Sequence, residues 1–283
     1  MIRTTITALL SALLLLPGTL PAAETAGDKL QIERSRQDSI YHSTGEQRPE
    51  GYVIDRTLTS YKAILPQEFA QTLSAMGPKD RWLDIGAGRG QAVLDYFTSG
   101  MDPGLNARAV AMSIEDRRTP EWHKAVASVG NDRMQYIFGK RLSEYAPQEL
   151  AQFRIITDVI GGFSYTDRLS VFMERVLSLL EPGGGFYTVL QDVHSAEGSN
   201  KPYYAGAPYL TVISNPAGAP VKVCDWLKSI SCVEVTCELK TAWKPPIEVY
   251  GIRKVCNEVR VPSLTATHYE AGTPPERGFR LAQ

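Results

Sequence analysis

The segment Leu83-Asp84-Ile85-Gly86-Ala87-Gly88-Arg89-Gly90 joins an apolar stretch to the start of a helical one through three alternate glycines. Such glycines let the backbone turn tightly after a strand and come close to a ligand. A helix expected over 91–97 starts at this turn, so its free N–H groups face the same space. Gln91 stands where the dinucleotide pattern G-x-G-x-x-G needs its last glycine, so that pattern fails. The carboxylate of Asp84 suits a cationic or donor-rich ligand and is a poor neighbour for a pyrophosphate.

Short strands and helices alternate on both sides of this turn, which predicts an α/β fold with a doubly wound, mostly parallel sheet. Apolar residues at helical spacing predict two helices over 53–76, the second starting at Pro66. The last two predicted strands form an antiparallel hairpin and bring the sheet to seven strands. The strands are expected at 81–85, 107–114, 134–138, 154–160, 186–190, 233–239 and 247–255.

The pattern Asp-x-Gly-x-Gly-x-Gly after a strand resembles the first motif of class I S-adenosylmethionine-dependent methyltransferases. The resemblance spans about 53–255 and implies the Rossmann-like methyltransferase fold, with S-adenosyl-L-methionine as cofactor. It implies that the loop lies against the amino-acid end and ribose of the cofactor, through Asp84, Gly86, Gly88 and Gly90. It also implies an acid after the second strand, where Glu115 offers two oxygens to the ribose hydroxyls.

Two positions depart from the family pattern, and the catalytic residues stay open. The third strand is followed by Gly139 and Lys140 rather than by an acid, and Arg154 replaces the acid that often precedes the fourth strand. Asp158 at the end of the fourth strand is expected either to hold the cofactor ammonium, to orient a substrate, or to cap a loop. His194 follows the fifth strand and is, with Asp158, a candidate catalytic residue.

The first 23 residues have the order of a secretory signal peptide: Arg3 at the start, an apolar centre, and small residues at the end. The predicted cut follows residue 22 or 23, which makes the protein periplasmic or secreted. The alternative is an uncleaved inner-membrane anchor, although the leucine run is short of the roughly 20 residues that span a bilayer. The predicted division is a signal peptide over 1–23, a polar arm over 24–52, the methyltransferase-like domain over 53–256, and a loose tail over 257–283.

The four cysteines cluster late in the chain, which in an exported protein favours disulfides over buried thiols. If the terminal hairpin turns near residues 244 and 245, Cys232 and Cys256 come close enough to be bridged. The spacings do not resemble a zinc site, because no CxxC pair is present, so no metal is expected.

The charge balance narrows the class of partner. Thirty Lys and Arg residues against 31 Asp and Glu residues leave a net charge of -1, without a basic face for nucleic acid. The sequence therefore predicts an exported methyltransferase for a small-molecule or protein acceptor, with membrane contact only if the N-terminal segment is uncleaved. Export conflicts with a cofactor made in the cytoplasm. The alternatives are a non-catalytic nucleoside or metabolite binder on the same fold, and an enzyme like the aminopropyltransferases.

Overall fold

A computed structural model describes residues 55–100, 107–191, 208–243, 246–270 and 275–282. The predicted signal peptide and arm, and the candidate His194, lie outside these described residues. Among the described residues, none of the helices is long and apolar enough to cross a bilayer.

The central layer is a seven-stranded sheet with the order β3-β2-β1-β4-β5-β9-β8. Its first five strands run parallel, and β9 and β8 add an antiparallel hairpin at one side. This confirms the predicted fold class. The strand order reverses between β1 and β4, and ligands of open α/β sheets bind at the carboxyl edge of such a point. The strands are β1 Arg81–Ile85, β2 Arg108–Met112, β3 Met134–Ile137, β4 Phe153–Asp158, β5 Leu180–Gln191, β8 Val233–Lys240 and β9 Ile247–Lys254.

Helices cover both faces of this sheet, and the sheet separates the core into two buried clusters. Local signals set where helices begin: Thr57 and Thr119 each accept the N–H three residues ahead, at Ser60 and Trp122. The helices are α1 Leu58–Ile64, α2 Gln67–Ser74, α3 Gln91–Thr98, α4 Pro120–Val129, α5 Pro147–Leu150, α6 Gly162–Tyr165, α7 Leu169–Leu179 and α8 Val223–Lys228.

A second sheet corrects the prediction of a loose tail over 257–283. Its order is β10-β11-β6-β7, and two of its strands lie in that tail. Polar composition and prolines suggested disorder, but Leu264, Tyr269 and Phe279 are buried and provide an apolar side. The strands are β6 Leu210–Ser214, β7 Pro220–Val221, β10 Leu264–Glu270 and β11 Glu276–Leu281. The segment predicted to be a loose tail thus contributes strands β10 and β11 to the folded protein.

Two disulfides fasten the terminal hairpin. Cys224 on α8 is bonded to Cys237 on β8, with 6.2 Å between their Cα atoms. Cys232 is bonded to Cys256, with 5.1 Å between their Cα atoms, as the predicted hairpin pairing suggested. The register explains this bond, because Val233 pairs with Lys254 and the two cysteines flank that pair.

Candidate active site at the carboxyl edge of the sheet

The glycine loop after β1 is shaped by positive backbone angles and by close neighbours. Gly86, Gly88 and Gly90 have φ values of +66°, +58° and +80°, which side chains other than glycine rarely adopt. A Cβ on Gly86 would come within 2.8 Å of the Gly161 Cα, and one on Gly90 within 2.5 Å of the Trp122 ring. The loop is therefore wedged between the loop after β4 and helix α4, and its backbone is held at the switch point of the sheet.

Asp84 lies beneath this loop, buried, and its carboxylate is held by two hydroxyl groups. Tyr61 Oη on α1 lies 3.0 and 3.2 Å from the two oxygens, and Thr157 Oγ1 on β4 donates to Oδ1 at 2.7 Å. Burial raises the pKa of Asp84 to about 7, against the lowering effect of these two hydrogen bonds. The predicted cofactor-binding residue is thus a buried acid that changes charge near neutral pH.

Asp158 ends β4 on the neighbouring strand and is fully buried. Its carboxylate accepts the backbone N–H groups of Gly161 and Phe163, at 2.9 and 3.1 Å. Burial raises the pKa of Asp158 to about 7, and these N–H groups oppose the rise. Of the three roles expected from the sequence, capping of its own loop is the one for which the structure provides contacts. Its cofactor and catalytic roles stay predictions.

Arg277 supports the same loop from the second sheet, and nothing in the sequence pointed to it. This arginine on β11 is fully buried. Its guanidinium donates to the carbonyl oxygens of Phe163 and Thr166, both at 2.5 Å, and to Thr211 Oγ1 at 3.0 Å. Asp158 binds the N–H groups of the loop and Arg277 binds its carbonyl groups. The loop that touches Gly86 is therefore fixed from both sides.

Glu115 follows β2 at the same edge and is partly exposed, as a residue that contacts a ribose requires. Its carboxylate forms an ion pair with Arg117. Tyr136 Oη lies 2.5 Å from Gly88 O and 3.2 Å from Glu115 O, so it ties the glycine loop to the end of β2. The ring of Phe138 beyond β3 is 45% exposed and presents a flat apolar surface nearby. The contact of Glu115 with a ribose stays a prediction, and the sequence pointed to no contact by Phe138.

The residues just before α1 lie over the glycine loop. Asp55 Oδ1 accepts the Arg89 N–H at 2.6 Å, and the two side chains form an ion pair at 3.4 Å. Arg56 Nη1 lies 3.5 Å from Val159 O, and the charge of Arg56 lowers the pKa of Asp84. A cation thus stands close to the buried Asp84 at the switch point. Arg56 could not be predicted from the sequence, because no motif marks it.

Gln191 is the last residue of β5 and reaches the same edge. It is buried, and within the part of the chain that the structure describes its Oε1 atom has no hydrogen-bond partner. A buried carbonyl oxygen without a donor is costly unless a ligand supplies one. Gln191 therefore marks a place where an N–H or O–H group of a substrate would be stabilised.

A metal site is not formed by the cysteine cluster. Cys224, Cys237 and Glu248 have ligand atoms within 4.8 Å of one another. The two sulfur atoms are bonded to each other, however, and a metal binds the thiolate rather than the disulfide.

Comparison with known proteins gives matches among solved structures alone. No protein-family model and no curated protein matches the chain. An rRNA methylase from Streptococcus thermophilus is 12% identical, with 67% of this chain and 95% of that chain covered and a TM-score of 0.40. The N-methyltransferase NodS from Bradyrhizobium japonicum is 11% identical, with 66% and 93% covered and a TM-score of 0.41. The glycopeptide N-methyltransferase MtfA, complexed with S-adenosyl-L-homocysteine, is 17% identical, with 77% of this chain and 96% of that chain covered and a TM-score of 0.45. All three of these solved structures are methyltransferases.

Proposed function

We propose that this chain is an exported S-adenosylmethionine-dependent methyltransferase that acts on a small-molecule or protein acceptor. The observation that carries the proposal is the carboxyl edge between β1 and β4. There a bare glycine backbone stands above two buried acids, Asp84 and Asp158. Such an edge stabilises a ligand that carries a sulfonium and an ammonium, and disfavours a pyrophosphate.

The residues present fit the parts of this cofactor. The backbone of Gly86, Gly88 and Gly90 would lie against its amino-acid end and ribose. The two oxygens of Glu115 would accept the ribose hydroxyls, and the exposed ring of Phe138 would lie against the adenine.

Arg56 completes this assignment at the amino-acid end. A carboxylate there requires a cation, and Arg56 is close enough to Asp84 to lower the pKa of that acid. This contact separates the proposal from an aminopropyltransferase, whose cofactor lacks the carboxylate.

The chemistry of methyl transfer leaves the protein the tasks of alignment and exclusion of water. The cofactor supplies a methyl group on a sulfur that leaves as a neutral thioether. Gln191 Oε1 would accept an N–H or O–H of the acceptor at the end of β5. Asp158 can hold a proton near neutral pH, because its pKa is raised to about 7 by burial. His194 remains the second candidate for proton removal, on the expectation drawn from the sequence.

Export is supported by the form of residues 1–23 and by the two disulfides, since such bonds persist in oxidising compartments. The enzyme would then work where another cell or compartment provides the cofactor. The near-neutral net charge favours a small-molecule or protein acceptor over nucleic acid.

Calorimetry with S-adenosylmethionine tests the proposal. The wild-type protein is expected to bind it, and Asp84→Ala and the better matched Asp84→Asn are expected to bind it weakly or not at all. The exposed Asp225 on α8 provides the control, because Asp225→Asn removes the same charge far from the edge. Absence of binding at millimolar cofactor would remove the proposal. Binding without transfer of a labelled methyl group to any acceptor would favour the non-catalytic binder.

Arg56→Met tests the carboxylate contact separately. It is expected to weaken S-adenosylmethionine by about tenfold or more, the usual effect of losing a charge-assisted hydrogen bond. The same variant should bind 5′-methylthioadenosine, which lacks the amino-acid end, as tightly as the wild type does. Tighter binding of decarboxylated S-adenosylmethionine than of the intact cofactor would favour the aminopropyltransferase alternative.

A further inference from the structure

A cavity of about 270 Å³ opens at the amino ends of β1, β2 and β3. Arg81, Arg108, Asp132 and Gln135 provide its polar lining. Arg81 and Arg108 begin the strands that end at the glycine loop and at Glu115, so this cavity lies at the opposite edge of the sheet. Its volume is close to the lower end, about 300 Å³, of the range for small-molecule sites. It is therefore a second candidate site, separate from the cofactor edge.

The two arginines are neighbours by register. Arg81 and Arg108 are Cα partners in adjacent parallel strands, where paired residues point to the same face. Arg81 is fixed, because its Nη1 donates to Leu150 O at 2.7 Å and its guanidinium stacks 4.4 Å from the centroid of the Phe153 ring. Arg108 is exposed and reaches the cavity from the solvent side.

The cavity holds more positive than negative charge. Of the ion pairs within 4.0 Å that the described residues form, none involves Arg81 or Arg108. Asp132 is the acid in the lining, against two guanidinium groups. Burial and the neighbouring charge of Arg108 both lower the pKa of Arg81, and the charge of Glu181, which is not in the lining, opposes them. An anion bound between two neighbouring guanidinium groups would reduce the repulsion between their positive charges.

We propose that this cavity binds the phosphate group of a small metabolite, or inorganic phosphate itself. Strands in a sheet are about 4.8 Å apart, so the oxygens of one tetrahedral dianion can receive N–H groups from both arginines. The Gln135 amide offers a further donor. The rest of the cavity leaves room for the organic part of a small phosphate monoester. This proposal does not depend on the function of the glycine loop.

Titration of the full chain with inorganic phosphate, at constant ionic strength maintained with sodium chloride, tests the proposal. Saturable binding is expected by calorimetry, and Arg108→Met should weaken it by about tenfold or more. Arg280→Met is the matched control, because this exposed arginine lies on β11 in the other sheet and its loss should leave the affinity unchanged. Asp132→Asn should tighten binding, since it removes the acid from the lining.

A parallel titration with glycerol 3-phosphate distinguishes the two sources of phosphate. Binding at least as tight as that of inorganic phosphate assigns the cavity to a monoester, and binding of the inorganic ion alone assigns it to the free ion. The proposal is overturned if neither ligand saturates at millimolar concentration. It is equally overturned if Arg108→Met and Arg280→Met weaken binding to the same extent, because the effect would then be one of overall charge.

Discussion

Binding of S-adenosylmethionine is expected to release protons from the two buried acids. The pKa values of Asp84 and Asp158 are both raised to about 7, chiefly by burial. The charged and titratable groups that act on them are Tyr61, Arg56 and Asp158 for Asp84, and Arg277 for Asp158. Neither acid has a carboxylate–cation pair of its own among the described residues, so an arriving cation favours the ionised form of both.

The size of the effect follows from these values. At about pH 6.5, a group with a pKa of about 7 is roughly three quarters protonated. An opposite charge within about 4–6 Å lowers a carboxyl pKa by about 1–3 units, which would deprotonate most of the protonated acid. The expected release is therefore about 0.5–0.75 proton if one acid responds and about 1.0–1.5 protons if both do. The cofactor amine, with an α-amino pKa of about 7.7–8.0, is already protonated and takes up less than about 0.1 proton.

Calorimetry in buffers of different ionisation enthalpy measures the number of protons released, as the slope of the observed binding enthalpy against the ionisation enthalpy of the buffer. If Asp84→Asn retains measurable binding, its slope should be smaller than that of the wild type by the number of protons that Asp84 releases. The neutral thioether 5′-methylthioadenosine should give a slope near zero. A buffer-independent enthalpy for S-adenosylmethionine in the wild type, or a net uptake of protons, would refute the placement of its cationic groups beside these acids.

Three further outcomes are expected. Because the folded-state pKa of Asp84 lies above its unfolded value, its contribution to stability is present below about pH 4 and is lost as the pH rises to about 7. In denaturant titrations, the unfolding free energy of Asp84→Asn relative to wild type should therefore increase between these pH values, and a constant difference would contradict the assignment. Gly86→Ala should weaken cofactor binding by about tenfold or more because of its clash and its positive φ, whereas Gly218→Ala, with φ +87° and open space, should cost about 1–2 kcal/mol of stability and leave binding intact. Arg277→Met should lower the unfolding free energy by about 2–4 kcal/mol because it leaves buried carbonyl groups without donors, whereas the exposed Arg280→Met should stay within about 0.5 kcal/mol; equal effects would show that the loop does not depend on Arg277.

The parts of the fold that were predictable are those whose causes are local in the sequence. The glycine loop was recognisable because positive φ values restrict Gly86, Gly88 and Gly90 to one residue type. The Cys232–Cys256 bond followed from counting along a hairpin, since a short connection fixes the register of its two strands.

The second sheet was missed because its stabilising contacts are distant in sequence. Arg277 and Thr211 are separated by 66 positions, and the parallel pairing of β11 with β6 leaves no turn signal between them. A segment with alternate buried residues among polar ones is indistinguishable from a tail until its partner strand is known. The partners of Asp84 were missed for the same reason, since Tyr61 and Thr157 come from two other elements.

The two acids also bear on the choice between a binding site and a plain structural turn. Holding Asp84 and Asp158 in the core with raised pKa values lowers stability near neutral pH, because burial disfavours their charged forms. A scaffold without a ligand would be more stable with neutral side chains of the same shape at these positions. The chain instead surrounds them with Tyr61, Thr157 and the Arg277-supported loop, which fix their position by hydrogen bonds, and the charges of Arg56 and Arg277 lower their pKa values only in part. That arrangement is expected where a cationic ligand supplies the missing charge, which is the property that the proposed function requires.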